Sequence, residues 1–361
     1  MTKRDMVRMA LRHEEPPLVP TQEDFGDDNA EEILLPAIPG MDWREAAIRR
    51  AKYLGNYMVG AGGVGFRSQR EPESDDSYLL RWETGAVWRI HLRPQWWRHY
   101  IVYPVNEPAD LERLQMPDPA DGSRYQGLAE DVHFFQERGY FTIVGAPDVF
   151  ASVWYHIRPF EEYLIDMVER PAFARELMAR VGEYALASLE RLLPMARPDA
   201  IGFAADMGHN RATFMSPRTF ERLLLPWYAR YCEVAHKHGA YVCMHSHGNI
   251  NAIMPMLCEA GVDCLNPVGP GDGMDLAQLK RDYGDRMSFQ GGISKFIGQM
   301  DEEQLRTHLD EVFRTGSPGG GFIAYSEGSI PVDMPPERVR FYLDLMQEMS
   351  HRYGRGQQPQ L

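Results

Sequence analysis

The sequence predicts an α/β chain folded as a (β/α)8 TIM barrel with an N-terminal helical and β-hairpin extension. Three observations carry that prediction. From about Gly122 onward, amphipathic helical patterns rich in Leu, Met and Ala alternate with short apolar runs that end in small or polar residues, the signature of parallel strands joined by helices. The alternation continues to about residue 350, a span suited to a closed barrel. No convincing dinucleotide fingerprint accompanies it, as an open doubly wound sheet would lead one to expect.

The chain opens with Met1-Thr-Lys-Arg-Asp-Met-Val-Arg-Met-Ala-Leu11, in which charges alternate with apolar residues at helical spacing, and this helix should end near His13. The prolines of residues 14–20 lead away from it, because proline cannot continue a helix. A second helical pattern covers residues 42–59. The run Gly60-Ala-Gly-Gly-Val-Gly65 satisfies G-x-G-x-x-G, yet residues 66–76 after it are not helical, so no helix dipole would face a pyrophosphate. Residues 78–105 alternate aromatic or β-branched with polar residues around a turn at Gly85 and read as an antiparallel hairpin unit. Its aromatics, Trp82, Trp88, Trp96, Trp97, Tyr100 and Tyr103, read first as packing and second as a cap over an aromatic substrate. Six barrel strands are expected at 141–146, 200–205, 240–245, 262–266, 287–291 and 322–326. The helix after Ser216-Pro217 should kink at Pro226 and end at Gly239. The organisation is then an extension over 1–121, the main part of the barrel over 122–350, and a flexible tail over 351–361.

The 361 residues include 38 basic and 52 acidic ones, a formal net charge of -14, and are 44% hydrophobic. That balance leaves no electrostatic footprint for nucleic acid or an anionic membrane. The opening segment has no signal-peptide pattern and no stretch is long and apolar enough to span a bilayer, so a cytoplasmic protein is expected. Cys232, Cys243, Cys258 and Cys264 lack C-x-x-C spacing. Cys232 and Cys258 fit helical core positions, whereas Cys264, beside an expected strand end, is a possible ligand.

The segment Tyr241-Val-Cys-Met-His-Ser-His-Gly-Asn-Ile250 is the focus of the chemistry. Residues two apart on a strand share a face, so His245 and His247 can hold one metal ion from one side. The alternative is that they hydrogen-bond a substrate or neighbouring carbonyls. Chemistry in a TIM barrel sits at the carboxyl ends of the strands, which groups this pair with Asp206, His209, Asn210 and Arg211, with Cys264 and Asn266, with Gln290, and with Ser326 and Glu327. Trp154 and Tyr155 follow the expected 141–146 strand and are the better candidates for enclosing a flat substrate.

With those residues in view, the chain resembles the uroporphyrinogen decarboxylase superfamily, in its branch of cobalamin (corrinoid)-dependent methyltransferases and O-demethylases. The resemblance runs through residues 8–16, 111–119, 201–206, His245-Ser-His-Gly-Asn249, 260–268, 279–285, 291–293, 319–323 and 329–335. It implies the same barrel. It also implies a zinc site resembling His-x-Cys with a further cysteine near the end of the last strand. Here His245 matches the histidine, His247 stands at the first cysteine, and Glu327 is the potential ligand nearest the second, which matches Gly328 or its neighbour. Two imidazoles and a carboxylate make a harder zinc site than two thiolates and suit polarisation of oxygen.

The expected function is therefore transfer of a methyl group from a small, methoxylated aromatic donor to a corrinoid, assisted by zinc. The metal ligands expected are His245, His247 and Glu327, with Cys264 as a weaker choice. Asp206, His245 and Glu327 are the expected catalytic residues, and Trp154, Tyr155, Asn210, Asn266 and Gln290 the substrate-binding ones. The chain shows no D-x-H-x-x-G motif, so the corrinoid is expected on a separate partner protein; a homodimer is compatible with the reading. The alternatives are a uroporphyrinogen decarboxylase-like lyase, a methylcobalamin:thiol methyltransferase, a metal-independent lyase or hydrolase using Asp206 and a histidine, and a non-catalytic scaffold. The stretch Pro20-Thr-Gln-Glu-Asp-Phe-Gly-Asp-Asp28 argues against the decarboxylase, because it is acidic where that enzyme's arginine-rich segment would anchor a polycarboxylate.

Overall fold

The computed structural model describes residues 1–26, 28–93 and 97–355; Trp96 and residues 356–361 of the expected tail lie outside the described residues. Helix α1 (Lys3–Leu11) is followed by α2 (Asp28–Leu34) and α3 (Trp43–Leu54). Gly55, at φ 74°, ends α3 in the left-handed region. The next strand is β1 (Met58–Gly63). The glycine run that mimics a nucleotide fingerprint is thus largely a barrel strand, and the expected 42–59 helix stops short of it. Strands β2 (Ser68–Ser74), β3 (Ser77–Trp82), β4 (Val87–His91) and β5 (Trp97–Val102) form an antiparallel sheet in that order, with Gly85 turning at φ 94° between β3 and β4.

Helix α4 (Leu128–Glu137) leads into β6 (Phe141–Gly145), then α5 (Ala151–His156), α6 (Phe160–Glu169) and α7 (Pro171–Ala196) into β7 (Ala200–Ala204). A two-residue ladder, β8 (Gly208–His209) and β9 (Ala212–Thr213), precedes α8 (Pro217–Leu223) and α9 (Leu225–Lys237). These helices separate at Leu224, with Pro226 in the first turn of α9, and Gly239 turns the chain into β10 (Tyr241–His245). The remainder is α10 (Met254–Ala260), β11 (Cys264–Val268), α11 (Leu276–Tyr283), β12 (Ser288–Ile293), α12 (Glu302–Gly316), β13 (Phe322–Ser326) and α13 (Pro336–Arg352). Among the described residues no helix is long and apolar enough to cross a membrane.

Seven parallel strands run β1-β6-β7-β10-β11-β12-β13 in one curled sheet. The segment after α1 joins its two edges. Thr21 bridges Ala324 in parallel, with Ala324 N–H donating to the Pro20 carbonyl at 2.9 Å and Gln22 N–H to the Ala324 carbonyl at 2.9 Å. On its other side Tyr57 N–H donates to the Thr21 carbonyl at 3.1 Å. Where the backbone ladder gives out, the Asn56 amide stands in for a peptide: its oxygen accepts from Glu23 N–H at 2.7 Å and its NH2 donates to the Glu23 carbonyl at 2.8 Å. The barrel therefore begins near Thr21, inside the 1–121 segment expected as an extension. The expected tail is corrected too: α13 runs to Arg352, Tyr353 is buried, and Arg355 N–H donates to the Pro16 carbonyl at 2.8 Å.

The floor is held by Asp199, fully buried, which accepts from Arg4 Nε at 2.8 Å, Arg8 Nε at 2.9 Å and Thr142 N–H at 2.9 Å. These bonds tie α1 beneath β6 and β7. At the opposite end the β2–β5 sheet docks on α5: Trp88 Nε1 donates to the Tyr155 carbonyl at 2.9 Å, Thr84 to the His156 carbonyl at 3.1 Å, and the His156 ring lies 4.4 Å from Trp82 and 4.9 Å from Trp88.

Glu23 is buried, and its carboxyl accepts from Ser326 N–H at 3.1 Å, Ser326 Oγ at 2.9 Å and the Tyr342 hydroxyl. Burial pushes its pKa up to about 7. The native chain thus holds a proton that an unfolded carboxyl releases near pH ~4.3. The associated stability is complete below that unfolded value and is lost as pH rises to about 7. Buried Asp148, raised to about 7, acts in the same direction. Glu23→Gln should therefore lose less melting temperature than the wild type between pH 5 and 8, followed by thermal unfolding; an identical slope would remove Glu23 from the account.

Candidate active site at the mouth of the barrel

Inward-facing positions alternate along the strands, and they surround a cavity of about 530 Å3. One wall carries Gly60, Gly62, Gly145, Gly202 and Ala204; the facing wall carries Cys243, His245, Cys264, Asn266 and Gln290. Among the described residues no Lys or Arg lines it. Among the expected site residues, His245, Asn266, Gln290 and Cys264 thus border one space, whereas Asn210 is exposed between β8 and β9 and does not.

His245 ends β10 and pairs in register with Asn266 of β11. Its Nδ1 lies 3.1 Å from Asn266 Oδ1, and its Nε2 lies 3.5 Å from Asp206 Oδ1. An amide oxygen at Nδ1 selects the Nδ1–H tautomer and leaves Nε2 as a lone-pair atom facing a carboxylate. Such a pair is attractive only with a positive charge between them or on the ring. His245 keeps 31% of its side chain accessible, but through the cavity, and burial lowers its pKa against the opposing pull of Asp206.

Asp206 follows β7 at φ 42°, a left-handed conformation that aspartate tolerates better than most residues. Its Oδ2 accepts from the Tyr155 hydroxyl at 3.0 Å, and its Oδ1 from His247 N–H at 3.3 Å. The turn is fastened beneath by Ser246 Oγ, which accepts from Met207 N–H at 3.0 Å. Tyr155 packs against Trp154 at 3.7 Å between ring centroids and 6.3 Å from Tyr100, and Arg98 lies 5.0 Å above its ring. Burial raises the Tyr155 pKa, and Asp206 raises it further, so the phenol stays a donor. Tyr155 therefore reaches the site through Asp206. Trp154 packs on Tyr155 and Phe160 and does not border the cavity.

His247 is oriented separately. Its Nδ1 lies 3.3 Å from Asp272 Oδ2, a hydrogen bond that raises the histidine's pKa and lowers the aspartate's. Asp272 also accepts from Gly248 N–H at 3.0 Å, and Lys295 Nζ stands 3.9 Å from its other oxygen. Sequence reasoning passed over Asp272, Lys295 and Gln22; the dense glycines of Gly269-Pro-Gly-Asp-Gly273 were the available signal.

Two members of the expected zinc set are elsewhere. Cys264 opens β11 rather than closing it, level with Cys243 and two residues below the His245–Asn266 pair, roughly 6–7 Å deeper at strand rise. The Cys243 and Cys264 thiols are both free and neighbour each other within hydrogen-bonding reach. The buried Glu327 carboxylate turns into the loop after β11: both its oxygens accept from Gly271 N–H at 3.1 Å, and Oε1 from Lys295 N–H at 3.4 Å. A Cβ on Gly269 would fall 1.6 Å from Glu327 Oε2, so the loop is shaped around this group. Among the described residues no three His, Cys, Asp or Glu side chains converge as a metal-binding set. Two imidazoles with anchored Nδ1 atoms are suitable donors, but the expected third ligand is engaged in the loop.

Glu327 thus locks the loop that carries Asp272 to His247. Glu327→Gln keeps an acceptor for Gly271 and should retain most activity, whereas Glu327→Ala should lose it together with some stability, on the order of 1 kcal/mol, from the part-buried N–H groups left without their acceptor. Equal loss in both variants, with loss of bound metal, would return Glu327 to the role of ligand.

Residues 99–349 match the profile of uroporphyrinogen decarboxylase (URO-D). Uroporphyrinogen decarboxylase of Alkalilimnicola ehrlichii is 22% identical over 71% of this chain and 70% of its own length. That of Myxococcus xanthus is 20% identical over 70% of each. Among solved structures, a methyltransferase from Methanosarcina mazei superposes with a TM-score of 0.67 at 16% identity, covering 96% of this chain and 99% of that one. With more than half of its length in the matched region, on a closed α/β barrel, the chain belongs to the uroporphyrinogen decarboxylase family.

Proposed function

We propose that this chain is a methyltransferase that removes the methyl group of a small methoxylated aromatic donor and delivers it to a corrinoid carried by a partner protein. The observation that carries the reading is the Asp206–His245 pair beside a cavity that no Lys or Arg lines among the described residues. A polycarboxylate such as a tetrapyrrole would find no Lys or Arg in that lining to neutralise it. An aryl methyl ether needs none. Its barrier lies in the departure of phenolate, which a proton on the oxygen relieves.

A bound corrinoid supplies the nucleophile that accepts the methyl group. This chain's residues handle the oxygen. As the C–O bond breaks, its electron pair remains on oxygen, and a proton carried by the Asp206–His245 pair moves to it. Tyr155, donating to Asp206, holds that carboxylate in place, and Asn266 holds the imidazole. The zinc ion of the sequence-based expectation has no assembled third ligand here, so no step is assigned to it.

Asp206→Asn preserves the left-handed backbone but not the acid. It should lower methyl transfer from 2-methoxyphenol to cob(I)alamin by about 10²–10⁴-fold with little change in melting temperature. Undiminished transfer would sink the proton-donor role. Chelation tests the division of labour: activity that vanishes with chelator and returns with Zn²⁺ would restore His245 and His247 as ligands.

A further inference from the structure

The interior of a TIM barrel is ordinarily filled by layers of inward side chains. In this barrel one layer is nearly bare. Gly145 is beside Gly202, Gly202 beside Cys243, and Cys243 beside Cys264, so across four adjacent strands nothing larger than a thiol projects inward. With Gly60 and Gly62 on β1, the β1–β6–β7 wall of the cavity is peptide backbone at this level, bordered by Met58 and by Ile143, whose Cγ2 would lie 2.8 Å from a Cβ on Gly202. The opposite wall is polar without being ionic. It presents Asn266, whose oxygen is engaged by His245, and Gln290, which is 5% exposed. Gln290 borders the cavity, and its amide has no hydrogen-bond partner among the described residues.

We propose that this slot takes an uncharged planar ring, inserted edge-on, with one face against the glycine wall of β1, β6 and β7 and a hydroxyl or ether substituent bonded by the amides of Asn266 and Gln290. A primary amide offers both donor and acceptor, so it matches either substituent. A bare backbone wall admits a flat ring at close approach along its whole face, a contact that a puckered ring cannot make. An ion driven to the same depth would shed its hydration and meet no opposite charge in the lining. Recognition of the ring is thereby assigned to the barrel interior, not to Trp154, which lies outside the cavity. The inference deepens the methyl-transfer reading and rests on it only for the methoxyl group of the ligand.

Gly60 provides the test, because it has ordinary backbone geometry and a Cβ built on it meets nothing within 4 Å. Gly60→Leu should fill the slot without disturbing the fold. Calorimetric titration with 2-methoxyphenol is expected to give binding in the wild type, at least tenfold weaker binding in Gly60→Leu at unchanged melting temperature, and weaker binding also in Gln290→Leu. The non-planar analogue 2-methoxycyclohexanol should bind the wild type at least tenfold more weakly than the phenol. Failure of 2-methoxyphenol to bind the wild type, equal binding by Gly60→Leu, or equal affinity for the puckered analogue overturns the slot. Should Gly60→Leu not fold, the Gln290→Leu and ring-shape comparisons decide. Slot-dependent binding without methyl transfer would refute the methyltransferase reading alone, whereas undiminished methyl transfer by Gly60→Leu would refute the slot alone.

Discussion

Closing a parallel barrel with only a few residues of strand is the constraint on which the mouth depends. Between β13 and β1 the chain offers one backbone bridge at Thr21, and side chains complete what a longer strand would have done with peptides. Asn56 works as a substitute peptide, and Glu23 accepts from Ser326 on the neighbouring strand and Tyr342 on α13. Burying a carboxyl group is unfavourable unless its oxygens are satisfied, and here both accept. The same closure fixes Gln22 at the cavity and sets the end of β13, where Glu327 begins.

From that end a second chain of dependence runs across the mouth. Glu327 on the last strand holds the loop after β11, Asp272 in that loop holds His247 and Gly248 after β10, and His247 N–H in turn reaches Asp206 after β7. Three carboxylates thus connect four strand ends. The hollow interior gives up packing that a filled barrel would have, so the polar groups around it must be fixed by one another rather than by side chains beneath. Loops fastened in this way hold a site in one geometry.

The later part of the fold was legible because each helix–strand unit carries its own periodic signal. The strands at 141–145, 200–204, 241–245 and 322–326 lie within a residue of the sequence reading. The first two were not legible. Thr21 makes a single bridge, too short to leave a pattern, and β1 is so glycine-rich that its inward face looks like a loop. The β11 boundary slipped by two residues because Val262 and Asp263 are extended before the ladder starts; the Asp263 carboxylate accepts from Val242 N–H and touches His236 instead. That slip is what carried Cys264 from the floor of the cavity to a supposed strand end. The grouping of Asp206, His245, Asn266 and Gln290 followed from strand ends alone. Glu327 defeated that logic, since the position of a residue on a strand does not say which loop its side chain will enter.

The identity of the groups at the mouth bears on the chemistry more than their number. A thiolate pair would be electron-rich and would suit a sulfur nucleophile. This site instead sets the His245 Nε2 nitrogen 3.5 Å from a carboxylate oxygen of Asp206, a pair that is attractive when the imidazole is protonated. Burial disfavours the imidazolium while Asp206 favours it, and burial is the larger effect. Tyr155 donates to the far carboxylate oxygen at 3.0 Å and so holds the near one toward His245. Under the proposed methyl transfer, an oxygen leaving as a growing anion beside this pair would be the strongest base present and would take its proton with both loops already fastened in place.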